Sequence, residues 1–344
     1  MSQVDKVLLA APRGFCAGVE MAIKALAWMV ASFDGPVYCY HEIVHNQRVV
    51  RQFEELGVVF VDSIEEVPKG RPIMLSAHGS APEVVAAARE RGGFVVDAVC
   101  PLVTKVHHEV KVRAGKGYSI VYIGHEGHEE AVGTMAVAPE SVHRVESLAE
   151  VAALPSFETP VALLAQTTLS HLDWAEVADA TRERFPDMWM PGHSDLCFAT
   201  TNRQSALMRI AGECDVILVI GSANSSNTVA LEKLARSAGC NSVYRINSPE
   251  ELPEGLSGVV GLTAGASAPE ELVEAVISKL KPRNGVEEVR ITEEEEYFPP
   301  PRNLRDLLSA IDQIGALGLG GNPSSLGNSG DRERSASSVL SRMP

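Results

Sequence analysis

Aromatic residues and long hydrophobic runs are both scarce in this chain of 344 residues. Phe, Trp and Tyr make up 5% of the sequence, whereas hydrophobic residues together make up 45%, so the cores are expected to be aliphatic. No apolar stretch reaches the roughly 18 to 20 residues that a transmembrane helix needs. The N-terminal MSQVDK leads into a predicted strand without a cationic and hydrophobic leader. We therefore expect a cytoplasmic protein with no membrane partner.

Several common ligand motifs are missing as well. There is no CxxC pair of the kind that usually holds zinc, no GxGxxG fingerprint after a predicted strand, and no Walker lysine. Nucleotide binding therefore has little support. The formal net charge of −15 argues against nucleic acid as a partner. A chain of this size needs no disulfides and shows no secretory signal, so its six cysteines are expected to be reduced.

Three cysteines lie in nearly equivalent sequence settings. Cys16, Cys100 and Cys197 each follow an apolar run and precede a segment that is predicted to be helical. A thiol at a helix N-terminus is exposed to the positive end of the helix dipole, which favours the metal-binding thiolate. Each cysteine taken alone is compatible with a buried structural thiol, and packing is the role we assign to the other three, namely Cys39, Cys214 and Cys240.

An internal repeat supports three structural units. The segments FVDSIEEVP (60–68), RVESLAEVA (144–152) and RINSPEELP (245–253) share one pattern of strand end, turn and helix start. Each is followed by a strand, a polar loop and a helix, and residues 1–16 can supply the closing strand of the last unit. The predicted fold is α/β, with three pseudo-equivalent α/β domains in pseudo-threefold arrangement around a central iron–sulfur cluster. The predicted boundaries are 17–100, 101–197, 198–283 plus 1–16, a C-terminal extension at 284–314 with a solvated acidic run, and a disordered tail at 315–344.

The three cysteines favour an iron–sulfur cluster over zinc, because distant thiolates suit a cluster that the fold assembles. Three protein ligands on a four-iron cube would leave one iron open, and such an iron can act as a Lewis acid on a substrate oxygen. Polar loops after other predicted strands favour a phosphorylated substrate, since His, Ser and Asn donors near helix starts bind anions. Simple helix capping and structural histidines remain alternative interpretations of these loops. The candidate anion-binding residues are His45, His78, His128, Ser225, Ser226, Asn227 and Ser267; Glu130 is the candidate proton donor, and Thr167 is a candidate to orient or relay the proton.

The order of these motifs resembles the LytB family. The matching segments run from about residue 6 to about residue 301: PRGFCAGV, HEIVHN, SAHG, DAVCPLVTKVH, IGHEGHEE, QTTLS, CFATTNRQ, GSANSSN and TAGASAP. The resemblance implies three α/β domains around one [4Fe–4S] cluster per chain, held by cysteines that match Cys16, Cys100 and Cys197. It also implies that the apical iron binds the substrate's C4 hydroxyl.

The activity that this resemblance implies is reductive dehydroxylation of (E)-4-hydroxy-3-methylbut-2-enyl diphosphate to isopentenyl and dimethylallyl diphosphates. This is the last step of the non-mevalonate isoprenoid pathway. The resemblance assigns proton donation to Glu130, a nearby hydroxyl to Thr167, and binding of the small-molecule diphosphate to the remaining His, Ser and Asn candidates. It implies ferredoxin or flavodoxin as the electron donor.

The sequence departs from the family pattern at two positions. Glu129 stands where the family commonly has proline, and Val132 stands where an acidic residue is frequent. The first change places two carboxylates side by side, and alignment of the following GTM favours Glu130 as the proton donor. A cluster-containing hydro-lyase with another substrate and a non-enzymatic iron–sulfur sensor remain the alternative functions.

Overall fold

The computed structural model describes residues 3–316 and 331–343. The chain divides into two compact units. The larger consists of residues 1–16 and 102–295, and the smaller consists of residues 17–101 and 296–344. The described residues contain three parallel sheets flanked by helices, so the predicted α/β fold class is confirmed. Within the same residues, no helix is both long and apolar enough to cross a bilayer.

The strands are short, as expected for a parallel α/β protein. In chain order they are β1 (Gln3–Ala11), β2 (Tyr38–Tyr40), β3 (Val59–Val61), β4 (Pro72–Leu75), β5 (Phe94–Asp97), β6 (Ser119–Ile123), β7 (Val142–Val145), β8 (Val161–Ala165), β9 (Val216–Ile220), β10 (Val243–Ile246), β11 (Ser257–Ala264) and β12 (Val286–Arg290). The helices are α1 (Ala17–Ser32), α2 (Gln47–Glu55), α3 (Pro82–Arg91), α4 (Pro101–Gly115), α5 (Glu129–Ala136), α6 (Leu148–Ala153), α7 (His171–Arg184), α8 (Phe198–Ala211), α9 (Ser226–Ser237), α10 (Glu270–Leu280), α11 (Arg302–Ala316) and α12 (Ala336–Leu340).

The three sheets share one strand order. In the smaller unit the order is β3-β2-β4-β5. In the larger unit one sheet has the order β7-β6-β8, which a parallel bridge from Ala162 to Trp189 extends, and the other has the order β10-β9-β11-β1-β12. The N-terminal strand β1 thus lies beside β11, with Gln3 opposite Ser257. The order β10-β9-β11-β1 thus corresponds to β3-β2-β4-β5, and in these two sheets and the third the strands β9, β2 and β6 are each flanked by the next two strands along the chain.

Burial on both faces explains the uninterrupted apolar strands. Every residue of β9 is buried, and its side chains alternate between two core clusters. Leu218 packs on the side of α10 with Val276, whereas Ile217 packs with Leu207 of α8 and Leu231 of α9. The polar loops at the carboxyl ends of the strands are consequently the places left for functional side chains.

The repeated polar segments have the same local structure. Ser63 caps a 3₁₀ turn after β3, Ser147 caps α6 after β7, and Ser248 precedes a 3₁₀ turn after β10. At Ser63 the capping box is complete, because the hydroxyl accepts a backbone N–H and Glu66 accepts the N–H of Ser63. The internal repeat detected in the sequence is therefore present in the backbone.

The C-terminal segments differ from their predicted roles. Strand β12 pairs with β1 along 286–290 and so belongs to a sheet of the larger unit, not to a separate extension. Its charged sequence VEEVR, which is mostly exposed at a sheet edge, concealed this pairing. The predicted disordered tail lies partly outside the described residues, but 331–343 form a 3₁₀ turn and α12, with Ala336 and Val339 buried. The other domain boundaries stay predictions.

A buried ion pair fixes this C-terminal segment within the smaller unit. Asp331 is 2% exposed, and its carboxylate lies 3.1 Å from Lys24 Nζ. The same carboxylate accepts hydrogen bonds from Trp28 Nε1 at 3.2 Å and from the Tyr297 hydroxyl at 2.8 Å. Burial raises the pKa of Tyr297, and the neighbouring Asp331 raises it further. The composition of the C-terminal segment does not reveal this contact, because the contact depends on a single residue, Asp331, and on three side chains that are distant in sequence.

Replacing Asp331 with Asn should destabilise the smaller unit by about 3 kcal/mol, because it leaves the Lys24 charge buried without its counter-ion. Urea unfolding monitored through Trp28 fluorescence measures this loss. Asp306→Asn is the matched control, since its exposed pair with Arg302 is expected to contribute less than about 1 kcal/mol. Equal, small effects for the two variants would contradict the anchoring role of Asp331.

Candidate functional site

The three candidate cysteines occupy the same backbone position in their respective sheets. In the larger unit, Cys16 N–H donates to Ala266 O at 3.1 Å and Cys197 N–H donates to Thr167 O at 3.0 Å. In the smaller unit, Cys100 N–H donates to Ala77 O at 3.0 Å. Each acceptor lies two residues after the end of a strand, namely β11, β8 or β4. The equivalent settings detected in the sequence are therefore equivalent hydrogen-bonding positions.

The electrostatic environment of Cys197 favours the neutral thiol. Cys197 is the N-cap of α8, and its sulfur accepts a hydrogen bond from Thr200 N at 3.3 Å, as expected for a thiol at a helix start. Although part of the residue is exposed, its dense surroundings raise the pKa of the thiol to about 11, and the nearby Cys16 thiol adds to this effect. Such a sulfur becomes a thiolate only beside a compensating positive centre.

The other three cysteines have packing environments. Cys39 and Cys240 are buried, in β2 and just before β10 respectively. The thiol of Cys214 donates to Ile210 O at 3.2 Å, and burial raises the pKa of this thiol to about 12. These contacts agree with the packing role that the sequence favours for them.

Glu130 and Thr167 form a buried pair in the larger unit. Glu130 is 2% exposed and follows the first residue of α5. Its Oε1 accepts from the Thr167 N–H at 2.7 Å, and its Oε2 accepts from the Thr167 hydroxyl at 3.0 Å. Because Thr167 O also accepts the Cys197 N–H, a single residue contacts both the Glu130 carboxylate and the Cys197 backbone. Glu130, the candidate proton donor of the sequence, is thus held in a defined position.

His128 has a defined tautomer at the start of α5. Its Nδ1 accepts the Glu130 N–H at 3.1 Å, which makes His128 the N-cap of this helix. A neutral imidazole that accepts at Nδ1 carries its hydrogen on Nε2. The His128 side chain can therefore cap the helix through Nδ1 and still offer Nε2–H as a hydrogen-bond donor to an anion.

The loop after β9 repeats this arrangement with uncharged side chains. Ser225 caps α9 by accepting the Thr228 N–H at 3.3 Å. Asn227, at the position that corresponds to Glu130, accepts the Ala266 N–H at 2.9 Å. Ser267, the next residue after Ala266, is 6% exposed. The capping interpretation thus holds for Ser225, while the Asn227 amide links the loops after β9 and β11.

Two of the predicted histidines lie together in the smaller unit. His45 lies in the loop after β2, and His78 lies in the loop after β4. Their rings stack with centroids 4.0 Å apart and planes inclined by 17°. His45 Nδ1 is 3.4 Å from a Glu42 carboxylate oxygen. The smaller unit therefore brings two of the candidate anion-binding side chains into contact.

Sequence reasoning missed the residues that hold these side chains in place. Gln166 Nε2 donates to Ser226 Oγ at 3.2 Å, and Ser226 Oγ lies 3.3 Å from His125 Nδ1. Burial lowers the pKa of His125, which favours a neutral ring. Thr200 places its hydroxyl 3.1 Å from Cys197 Sγ and accepts from Asn227 Nδ2 at 3.3 Å. The sequence offered one indication of their importance: Gln166, His125 and Thr200 lie inside the motifs QTTLS, GHEGHEE and CFATTNRQ.

Comparison with known proteins identifies the family. A family model described as LytB protein matches residues 7–281. The chain belongs to the LytB family. A LytB relative from Rhodopirellula baltica, named 4-hydroxy-3-methylbut-2-enyl diphosphate reductase, is 48% identical over 87% of this chain and 96% of its own length. One from Mycobacterium tuberculosis, named 4-hydroxy-3-methylbut-2-enyl diphosphate reductase 1, is 50% identical over 80% of this chain and 86% of its own.

Solved LytB structures agree with this membership. The E-1-hydroxy-2-methyl-but-2-enyl-4-diphosphate reductase from Plasmodium falciparum has a TM-score of 0.86 and 31% identity, covering 90% of this chain and 99% of that one. An (E)-4-hydroxy-3-methyl-but-2-enyl diphosphate reductase, described as the terminal enzyme of the non-mevalonate pathway, has a TM-score of 0.59 and 31% identity, covering 82% and 99%. The resemblance to LytB and the prediction of an enzyme of the reductase class are therefore confirmed.

Two variants of His128 should separate its roles in this LytB chain. His128→Ala removes the Nδ1 acceptor and should cost about 1 kcal/mol of stability, whereas His128→Asn supplies another capping oxygen and should cost only a few tenths. Thermal or urea unfolding of the two variants side by side measures the difference. An equal loss of unfolding free energy in the two variants would contradict a stabilising role of the His128 cap.

Proposed function

We propose that this chain catalyses the reductive dehydroxylation of (E)-4-hydroxy-3-methylbut-2-enyl diphosphate. The substrate, two electrons and two protons give water and either isopentenyl or dimethylallyl diphosphate. The C4–O bond breaks, one proton leaves with the hydroxyl as water, and the other proton forms a new C–H bond at either end of the allyl fragment. The buried Glu130–Thr167 pair beside the Cys197 peptide is the observation that carries this proposal.

The proposed cofactor is one [4Fe–4S] cluster held by Cys16, Cys100 and Cys197. The donor set fits such a cluster, because three thiols stand at one repeated backbone position. When bound, the cluster would supply electrons and a Lewis-acidic iron for the substrate's C4 oxygen.

The side chains of this protein would bind the diphosphate and manage the protons. His128 Nε2–H, the hydroxyls of Ser225, Ser226 and Ser267, and the Asn227 amide come from loops at helix starts in the larger unit, where an anion is favoured. His45 and His78 are the candidates that the smaller unit supplies. These donors would fix the doubly charged head group and so hold the reacting carbon in place.

Glu130 would act as the proton donor. Its two carboxylate oxygens are held by the N–H and the hydroxyl of Thr167, so the position of the acid is fixed before substrate binds. Thr167 would orient Glu130 and provide a hydroxyl through which a proton can pass. A positioned general acid of this kind typically contributes about 10²–10⁴-fold to the rate.

Glu130→Gln should lower kcat by at least about 10²-fold while diphosphate binding is retained, because glutamine keeps the oxygen that accepts the Thr167 N–H. Anaerobic turnover with a reduced viologen dye, with both five-carbon products quantified, measures kcat. Glu129→Gln is the matched control and should keep most of the activity. Loss of turnover in Glu129→Gln with normal turnover in Glu130→Gln would reverse the assignment.

The same assay distinguishes the two alternative functions. A hydro-lyase would turn its substrate over without a reductant, whereas the proposed reaction requires two electrons for each product. A sensor has no use for a carboxylic acid that is buried and oriented beside a candidate ligand. The Glu130–Thr167 contact therefore favours an enzyme over a sensor, and dependence on a reductant separates the reductase from the hydro-lyase.

Ferredoxin or flavodoxin is the proposed electron donor, and helix α4 offers a suitable docking face. Lys105, Lys111 and Lys116 are exposed on α4 and just beyond its end, the first of them five residues after Cys100. Among the described residues, none of the three forms an ion pair with a carboxylate within 4 Å. In a chain of net charge −15, this local cationic face would attract an acidic carrier.

Replacing these three lysines with Gln should slow turnover driven by reduced ferredoxin and flatten its dependence on salt, because the charge attraction is lost. Turnover driven by viologen dye should stay normal, since the dye does not need the docking face. Lys279→Gln, at an exposed lysine of α10, is the control. An unchanged salt dependence in the triple variant would exclude α4 as the docking face.

A further inference from the structure

Arg203 is the largest fully buried side chain among the described residues. It lies on α8, six residues after Cys197, and is 0% exposed. A buried guanidinium is costly unless its five N–H groups all find acceptors. Here Nε and Nη2 donate to Gly14 O at 3.0 and 2.8 Å, Nη2 also reaches Phe15 O at 3.3 Å, and Nη1 donates to Ala199 O at 2.8 Å. The side chain thus joins α8 to the two residues that precede Cys16.

The backbone of Gly14, Phe15 and Cys16, whose first two carbonyls accept from Arg203, also donates hydrogen bonds. Gly14 N–H donates to Ala264 O at 3.2 Å, and Cys16 N–H donates to Ala266 O at 3.1 Å. Gly14 has a φ of 68°, a conformation that suits glycine, and a Cβ there would approach Ala268 O to 3.2 Å. The backbone leading into Cys16 is consequently fixed through its carbonyls by Arg203 and through its N–H groups by the loop after β11.

Glu294 supplies the counter-charge. Its oxygens lie 3.0 and 3.2 Å from Arg203 Nη1, and Oε1 also accepts from Asn202 Nδ2 at 3.0 Å. The Glu294 side chain is 15% exposed, although it belongs to the acidic run that the sequence suggested was a solvated surface. Without Glu294, the fully buried guanidinium of Arg203, on the helix that Cys197 caps, would carry an uncompensated positive charge.

We infer that Arg203 and Glu294 position two of the cluster ligands and set the charge around the cluster. Arg203 holds the loop that precedes Cys16 against α8, the helix that Cys197 caps. Glu294 compensates the positive charge of the Arg203 guanidinium. The inference rests on the proposed cluster function. The reduction potential of an iron–sulfur centre depends on nearby net charge, so Glu294 would hold the potential lower than Arg203 alone would.

The test is a spectroelectrochemical titration of the full chain after anaerobic reconstitution with iron and sulfide. In Glu294→Gln the amide oxygen can still accept from Arg203, but the negative charge is gone, so the reduction potential should move to a more positive value. Glu294→Asp keeps the charge and should restore a potential near that of the wild type. Glu295→Gln removes a charge at the exposed neighbouring residue and should leave the potential unchanged.

The potential is read only from molecules that carry a cluster, so partial loading does not obscure the result. A Glu294→Gln potential equal to that of the wild type would overturn the inference, as would an equal shift in Glu294→Asp. A wild-type chain that takes up a cluster and turns over substrate, with no shift in Glu294→Gln, leaves the proposed function intact. A wild-type chain that takes up no cluster overturns both.

Discussion

The candidate site depends on one backbone hydrogen bond that occurs three times. In each sheet the N–H of a cysteine donates to a backbone carbonyl in the loop after β11, β4 or β8, at Ala266, Ala77 and Thr167 respectively. This bond gives the three cysteines equivalent backbone positions, because each acceptor lies two residues after the end of its strand. In the larger unit the accepting residue also gives its own N–H to a side chain, Glu130 or Asn227. A candidate ligand, the candidate proton donor and an amide thereby belong to one repeated backbone arrangement.

The repetition explains how one chain assigns different chemistry to equivalent positions. Glu130 and Asn227 each lie near the start of a helix and each accept a backbone N–H from the neighbouring loop. One is an acid that can release a proton, and the other is an uncharged amide that can orient an anion. A change of one side chain on a common backbone would therefore suffice to separate the proposed proton transfer from the proposed binding. His128 and Ser225 differ in the same way at the two capping positions.

Much of this arrangement was predictable from the sequence, because it is encoded locally. Each cysteine setting, repeated turn and loop motif occupies only a few consecutive residues. Motifs this short can be recognised from the sequence without knowledge of the tertiary structure. Arg203 and Glu294 were not predictable, since an arginine in a helix and a glutamate in an acidic run are normally solvated. Asp331 was missed for the same reason, and only burial by distant side chains reveals its function.

In the proposed site, Cys16, Cys100 and Cys197 together hold one cluster of four irons. The most direct test is to count iron and acid-labile sulfide per chain after anaerobic reconstitution of single Cys→Ala variants. We expect about four irons per chain for the wild type and for Cys39→Ala, and a large loss in each of the three candidate variants. Full iron content in any one of those three variants, or none in the wild type, would contradict it.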